Sequence, residues 1–349
     1  FLLRTLKTLR TLEKKKHWFV LLFRSPCTIF ASEEQRGALG LRLYPPNLIR
    51  IMPAQGLCDI IFSFFIGTFV RQAKKRVRMA KYPIVLTIAG SDSSGGAGIQ
   101  ADIKTMSAIG VYAASAVTAV TAQNTLGVDG VQGIDPDMVA RQIDAVFSDL
   151  RPDAVKIGML YSRSIVEAVA DRFCHWHPQN VVLDPVMIST SGSRLIEEDA
   201  VEAIKEKLFP FASLLTPNLM EAEHLTGIAI DGIAPAREAA RCIVEKGCRA
   251  ALVKGGHLDG DVAVDVLFAD GELREYSSRR VVSVNTHGTG CTLSSAVASF
   301  LALGLPLAEA VGCAKNYLHS ALVAGAGVAV GGGHGPVNHL FNPNKLKTI

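Results

Sequence analysis

Ile84-Val85-Leu86-Thr87-Ile88-Ala89-Gly90-Ser91-Asp92-Ser93-Ser94-Gly95-Gly96-Ala97-Gly98-Ile99-Gln100-Ala101-Asp102 joins an apolar run to an amphipathic one through a turn of small residues. The run at 84–89 suits a strand covered on both faces. After the turn, Ile99, Ile103, Met106 and Ile109 recur near the 3.6 period, so 98–109 reads as a helix with one buried face. The same alternation continues downstream. Strands are predicted at 113–122, 154–157, 181–183, 213–215, 250–253 and 264–268. Helices are predicted at 136–149, 162–175, 198–207, 234–246, 291–303 and 307–324. Such spacing means βαβ units, hence an α/β fold with a mostly parallel central sheet in a three-layer αβα sandwich. Ligands in these folds sit beyond the carboxyl ends of the strands. Neither a repeat nor a linker divides 79–349, so it reads as one domain.

Residues 1–78 are different. They carry 15 Lys and Arg against 4 Asp and Glu, which leaves 21 basic and 28 acidic residues for 79–349. The basic excess therefore belongs to a leader and does not mark the main body as a nucleic-acid binder. The apolar run at 60–70 is shorter than the ~20 residues a membrane-spanning helix needs. The segment is expected to be poorly ordered: either a transit peptide or non-native upstream sequence ahead of a start at Met79. Seven cysteines, an odd number without a C-x-x-C pair, suggest neither a disulfide framework nor a zinc knuckle. A reducing, cytoplasmic setting fits them. His175, His177, His224, His319, His334 and His339 lack metal-ligand spacing and read as surface or cap residues.

The strongest chemical signal is Asn285-Thr286-His287-Gly288-Thr289-Gly290-Cys291-Thr292, which runs into an apolar helix. Gly288 and Gly290 let backbone N–H groups converge at a helix N-terminus, where the dipole favours an anion. Cys291 would lie in the first turn, a position that lowers a thiol pKa and suits a proton acceptor. The alternative is a glycine turn with an inert small cysteine. No Lys follows the glycines, so this is not a Walker A loop, and the turn at 90–98 does not fit G-x-G-x-x-G. Three strand ends add polar groups: Asp184 before Pro185, Asn218 with Glu221 three residues on, and Lys254 before two glycines. Each alone is ordinary turn chemistry. Together they offer carboxylates for Mg²⁺ and a cation for phosphate, as phosphoryl transfer requires. Gln123 closes a further strand, and its amide matches the donor and acceptor of an aminopyrimidine edge.

In this order, the segments 86–92, 95–102, 122–125, 156–160, 216–218, 254–257, 287–292 and 335–339 resemble the hydroxymethylpyrimidine/phosphomethylpyrimidine kinase family. The resemblance covers about 82–341 and implies a ribokinase-like sandwich without a β lid. It further implies ATP and Mg²⁺ as cosubstrates, a homodimer, and two successive phosphorylations of a thiamin precursor. By position, Gln123, Asp102, Ala97, Gly98, Met159 and Val186 would surround the ring. Cys291 would stand where sugar kinases of the superfamily carry an aspartate base, with the amides of Gly288 and Gly290 in an anion hole. Asn218, Glu221, Lys254, Thr286 and Thr289 would face the nucleotide, and Asp184 with Glu221 the metal. A pyridoxal kinase of the same superfamily is the alternative activity.

Overall fold

The structure, a computed structural model, describes residues 80–187, 196–256 and 260–349 and three short strands nearer the N-terminus. The chain divides into two units, Phe1–Met79 and Ala80–Ile349. In the first, β1 (Phe19–Leu21), β2 (Ile29–Glu34) and β3 (Ala38–Leu43) form an antiparallel sheet that the sequence reading did not anticipate. The rest of residues 1–79, with Cys27 and Cys58, lies outside the described residues, as does His257.

The second unit follows the βα alternation. In chain order it comprises β4 (Ile84–Asp92), α1 (Gly98–Ile109), β5 (Tyr112–Gln123), β6 (Val128–Gly133), α2 (Pro136–Asp149), β7 (Ala154–Ile157) and α3 (Arg163–Trp176). There follow β8 (Val181–Leu183), α4 (Glu198–Ala203), β9 (Leu214–Leu215), α5 (Leu219–Thr226), α6 (Ile233–Glu245) and β10 (Ala250–Val253). The unit ends with β11 (Val262–Ala269), β12 (Glu272–Arg279), α7 (Thr289–Ala302) and α8 (Leu307–Gly325). The sheet order is β12-β11-β10-β9-β8-β7-β4-β5-β6. The six strands from β10 to β5 run parallel, while β6 at one edge and β11 and β12 at the other are antiparallel.

Alternate residues of each central strand face opposite layers, as the period of two requires. Leu86, Ile88, Val155, Ile157, Val181 and Leu183 join one core, packed by α2 to α6. Val85, Ala154, Val182, Leu214, Ala250 and Leu252 join the other, covered by α1, α7 and α8. This is the expected three-layer sandwich.

Three of the named elements of the second unit were not visible in the sequence. The strand β6 contains Asp129, Gly130 and Gly133, and β12 alternates exposed polar residues with half-buried ones, so neither shows an apolar run. The helix α5 spans two turns, too short for a periodic pattern.

Candidate active site

Beyond the carboxyl ends of the parallel strands lies a cavity of about 890 Å³. Two backbone turns form its wall. One follows β4: a Cβ on Gly98 would run into the Gly90 carbonyl oxygen, and φ there is +57°, so only glycine closes the loop onto the strand. The other precedes α7: Gly288 has φ +78° and faces the carbonyl oxygen of Gly96 across the cleft. The turns are also tied through side chains. His287 Nε2 lies 2.8 Å from Asp92 Oδ2. Asp92 further accepts from the amides of Ser94 (2.8 Å), Gly96 (3.2 Å) and Ala97 (2.8 Å) and from Ser94 Oγ (2.9 Å). Burial works to raise the Asp92 pKa, but His287 and these donors outweigh it and hold the carboxyl well below its usual range.

The α7 start leaves the Gly290 and Cys291 amides without an intrahelical carbonyl, since Thr292 N–H takes the Gly288 oxygen at 2.8 Å. Gly290 also lets two charged side chains come close: a Cβ there would sit 3.3 Å from Lys254 Nζ and 3.5 Å from Asp184 Oδ2. Lys254 Nζ donates to Asp184 Oδ1 at 2.8 Å, and Asp184 also accepts from Thr216 Oγ1 (3.1 Å) and Ser294 Oγ (3.2 Å). Burial opposes charge on both partners. The pair nevertheless stays ionised, with Asp184 lowered by Lys254 and Lys156, and Lys254 raised by Asp184 and Glu221. Glu221 is pushed up to about 7, first by burial and then by Asp184, against the pull of Lys254. This corner holds more carboxylate than its lysine neutralises.

Most of the residues singled out in the sequence line this one cavity: Ala97, Gly98, Gln123, Met159, Val186, Asp184, Asn218, Glu221, Lys254, Thr286, Gly288, Thr289, Gly290 and Cys291. Ala263, Ser278, Val281, Leu318 and Leu322 line it as well. Asn218 and Glu221 also form a capping box on α5, each side chain accepting from the other's backbone N–H at 2.8–2.9 Å.

Two expectations need correction. Asp102 does not reach the cavity. It is fully buried behind the wall, where its carboxylate accepts from Thr87 Oγ1 (2.6 Å), Lys156 Nζ (3.0 Å) and Ser295 Oγ (2.6 Å). The helical position one turn past Gly98 points it inward, onto the lysine of the neighbouring strand. Cys291 lines the cavity, but its thiol is not lowered by the helix start. Burial pushes it up to about 11, Asp102 and Asp184 act in the same direction, and Lys156 and the Gly98 N–H oppose them too weakly.

The sequence reading missed Lys156, fully buried in the cavity wall, and the Asp92–His287 pair, which lines the cavity. A lysine inside the otherwise apolar run 154–157 was the available signal for the first. His339, read as a surface or cap residue, is buried, and burial pulls its pKa down to about 4. Among the described residues no cluster of three or more metal-ligating side chains occurs. None of the described helices is long and apolar enough to cross a membrane.

A family model described as phosphomethylpyrimidine kinase matches residues 92–338. A hydroxymethylpyrimidine/phosphomethylpyrimidine kinase of Rhizobium meliloti is 52% identical over 257 residues, 73% of this chain and 96% of that protein. The thiamine biosynthesis bifunctional protein ThiED of Geobacter sulfurreducens is 50% identical over 266 residues, 76% of this chain but 54% of that longer protein. Among solved structures, a Clostridium difficile phosphomethylpyrimidine kinase superposes with TM-score 0.62 at 45% identity, covering 69% of this chain and 99% of that one. A Staphylococcus aureus pyridoxal kinase in complex with AMP-PCP and pyridoxal gives 0.68 at 33% identity, covering 76% and 96%.

Proposed function

The chain belongs to the phosphomethylpyrimidine kinase family, and on that premise we propose that it phosphorylates 4-amino-5-hydroxymethyl-2-methylpyrimidine with ATP. The monophosphate formed is its second substrate, and thiamin biosynthesis its setting. The observation that carries this reading is that one cavity is lined by Gln123 and Met159, by the glycine turn at the α7 N-terminus and by the Lys254–Asp184–Glu221 corner.

In this reading Gln123 meets the amino edge of the ring, and Met159 and Val186 pack its faces. The reacting oxygen then lies near the Gly288–Cys291 turn, whose amides stabilise the charge that builds on the transferred group. Lys254 supplies a cation for the nucleotide phosphates, and Thr286 and Thr289 add hydroxyl donors. Asp184 and Glu221 offer hard oxygen donors at a corner with surplus negative charge, which suits Mg²⁺ bound by one or two carboxylates together with phosphate and water. Mg²⁺ would neutralise charge on the phosphates. Phosphoryl transfer asks little covalent chemistry of the protein, so positioning and these charges dominate.

Residues 79–349 form the kinase domain in this proposal, which works as a homodimer in the cytoplasm, with organelle delivery by the leader as the alternative. The Staphylococcus aureus neighbour named for pyridoxal supports one second reading, phosphorylation of a pyridine alcohol in the same cavity. A coupled ATP-turnover assay with the pyrimidine alcohol, its monophosphate and pyridoxal decides. Turnover of both pyrimidines with the higher kcat/KM is expected; turnover of pyridoxal alone would overturn the proposal.

A further inference from the structure

Gln123 is flanked by two fixed groups. As placed, its Oε1 lies 3.0 Å from Thr121 Oγ1 and its Nε2 3.4 Å from His287 Nε2. The chemistry of those neighbours determines which way the amide faces. Asp92 gathers four other donors besides His287 and is a carboxylate, so it can only accept. His287 Nε2, 2.8 Å from Asp92 Oδ2, must therefore carry its proton and act as a donor. Thr121 has one hydroxyl proton, and the Ser91 carbonyl lies 3.0 Å away to receive it.

An amide with its NH₂ toward His287 would set two donors against each other. Turned over, that conflict disappears. The Gln123 oxygen faces the His287 Nε2–H as its second, longer acceptor beside Asp92 (3.4 Å against 2.8 Å), one amide N–H donates to Thr121 Oγ1, and Thr121 donates to Ser91. Amide orientation is settled by such networks and not by shape, because the two ends of the group are nearly isosteric. One N–H and one oxygen lone pair remain for a ligand, in a fixed order.

We propose that Thr121 and His287 lock the Gln123 amide in one orientation and thereby make the site select an amino-bearing ring edge over an oxo-bearing one. The inference rests on the reading above that Gln123 faces the pyrimidine. An aminopyrimidine presents a ring-nitrogen acceptor beside an amine donor. The 4-oxo analogue presents a ring N–H donor beside a carbonyl acceptor, the same two sites in reverse. A freely turning amide would read both edges equally well; a locked one meets the second with donor against donor. Thr121 and His287 are positioning residues here, acting through Gln123.

The test measures kcat/KM for the 4-amino alcohol and for its 4-oxo analogue in the full chain, taking their ratio within each variant. That ratio cancels differences in folded fraction and in catalytic-turn integrity. Thr121→Val and His287→Leu should each lower the amino-to-oxo ratio about tenfold or more, the scale of one lost hydrogen bond. His287→Gln, which returns an N–H near the same place, should restore it. In a Gln123→Leu background neither substitution should change the ratio further. An unchanged ratio in Thr121→Val and His287→Leu, with a lowered one in Gln123→Leu, overturns the lock and leaves Gln123 as the ring reader. An unchanged ratio in Gln123→Leu itself removes Gln123 from ring recognition and overturns both.

Discussion

Replacing Lys156 by Met is the most informative single perturbation of this protein, because it separates structural from substrate-binding roles behind the cavity wall. Lys156 Nζ and Asp102 Oδ2 are 3.0 Å apart with both side chains wholly inaccessible to water. Thr87 and Ser295 are the other donors to that carboxylate, each at 2.6 Å. Burial alone would discharge the lysine, but Asp102 chiefly, then Cys291 and Asp184, hold its pKa above the ordinary value. Lys156→Met leaves a carboxylate in a dry site with two neutral donors, a change that costs about 3–5 kcal/mol. Asp102→Asn strands the ammonium and should cost a similar amount. The double variant removes both charges while the carboxamide oxygen still accepts from a hydroxyl, so it should recover to within about 1–2 kcal/mol of the parent. Urea denaturation followed by circular dichroism measures all four proteins. Simple additivity of the two single losses, or a loss below about 1 kcal/mol for Lys156→Met, would refute the buried pair as described. Kinetics complete the argument. If Asp102 only supports the wall, Asp102→Asn assayed where it is folded keeps its pyrimidine KM; a sharp rise in KM would return Asp102 to the ring pocket.

Two further outcomes follow from the same site. Gly288→Ala asks an alanine to adopt φ +78° and drives its Cβ into the Gly96 carbonyl, so the two turns must part; kcat should fall by about 10²–10³, the scale of a lost anion-hole donor, and a near-normal kcat in steady-state assays would contradict the role of the turn. Glu221 is raised from 4.5 to about 7, so its contribution to stability is fully present below about 4.5 and is lost as pH rises to about 7. Glu221→Gln should remove that decline, read as a smaller difference between urea midpoints at pH 5 and pH 8 than in the parent; an equal difference would count against it.

The layer architecture was legible because central parallel strands are apolar on both faces. Runs such as 84–89 and 181–183 can be little else once turn residues bound them. Edge strands escaped for the opposite reason. In β12 the side chains meet solvent, so Glu272, Arg274 and Glu275 carry no period that burial would impose. At the site, residues next to glycine turns were easy to place, since Gly98 and Gly288 mark where backbones must approach. Direction was harder. Asp102 sits one turn past Gly98 and Gln123 ends β5, yet one faces a buried lysine and the other the cavity. Only the helix phase and the register of Thr87 opposite Lys156 decide between them. The Asp92–His287 tie spans 195 positions, a pairing no local pattern announces.

Cys291 is where local reasoning and tertiary context part most clearly, and the pH dependence of the reaction can arbitrate. A helix start and a nearby lysine favour thiolate, but burial together with Asp102 and Asp184 puts the thiol at about 11, so at neutral pH it is protonated and uncharged. That neutrality suits a site used by two nucleophiles. A carboxylate at position 291 would accept a proton from the alcohol but repel the monophosphate, whose oxygens are already ionised near neutral pH. A neutral thiol beside the Gly290 amide obstructs neither. If the thiol accepts the alcohol proton, the first phosphorylation draws on a thiolate fraction that grows about tenfold per pH unit below that pKa. Its kcat should then climb from pH 7 to 9, while the second step, which needs no proton acceptor, stays nearly flat. Cys291→Ala should abolish the climb and cost the first step about 10² at pH 8, with the second step little changed. A flat profile for the first step in the parent protein would mean that the thiol takes no proton, and equal losses in both steps would assign Cys291 to shaping the turn whose amides hold the transferred group.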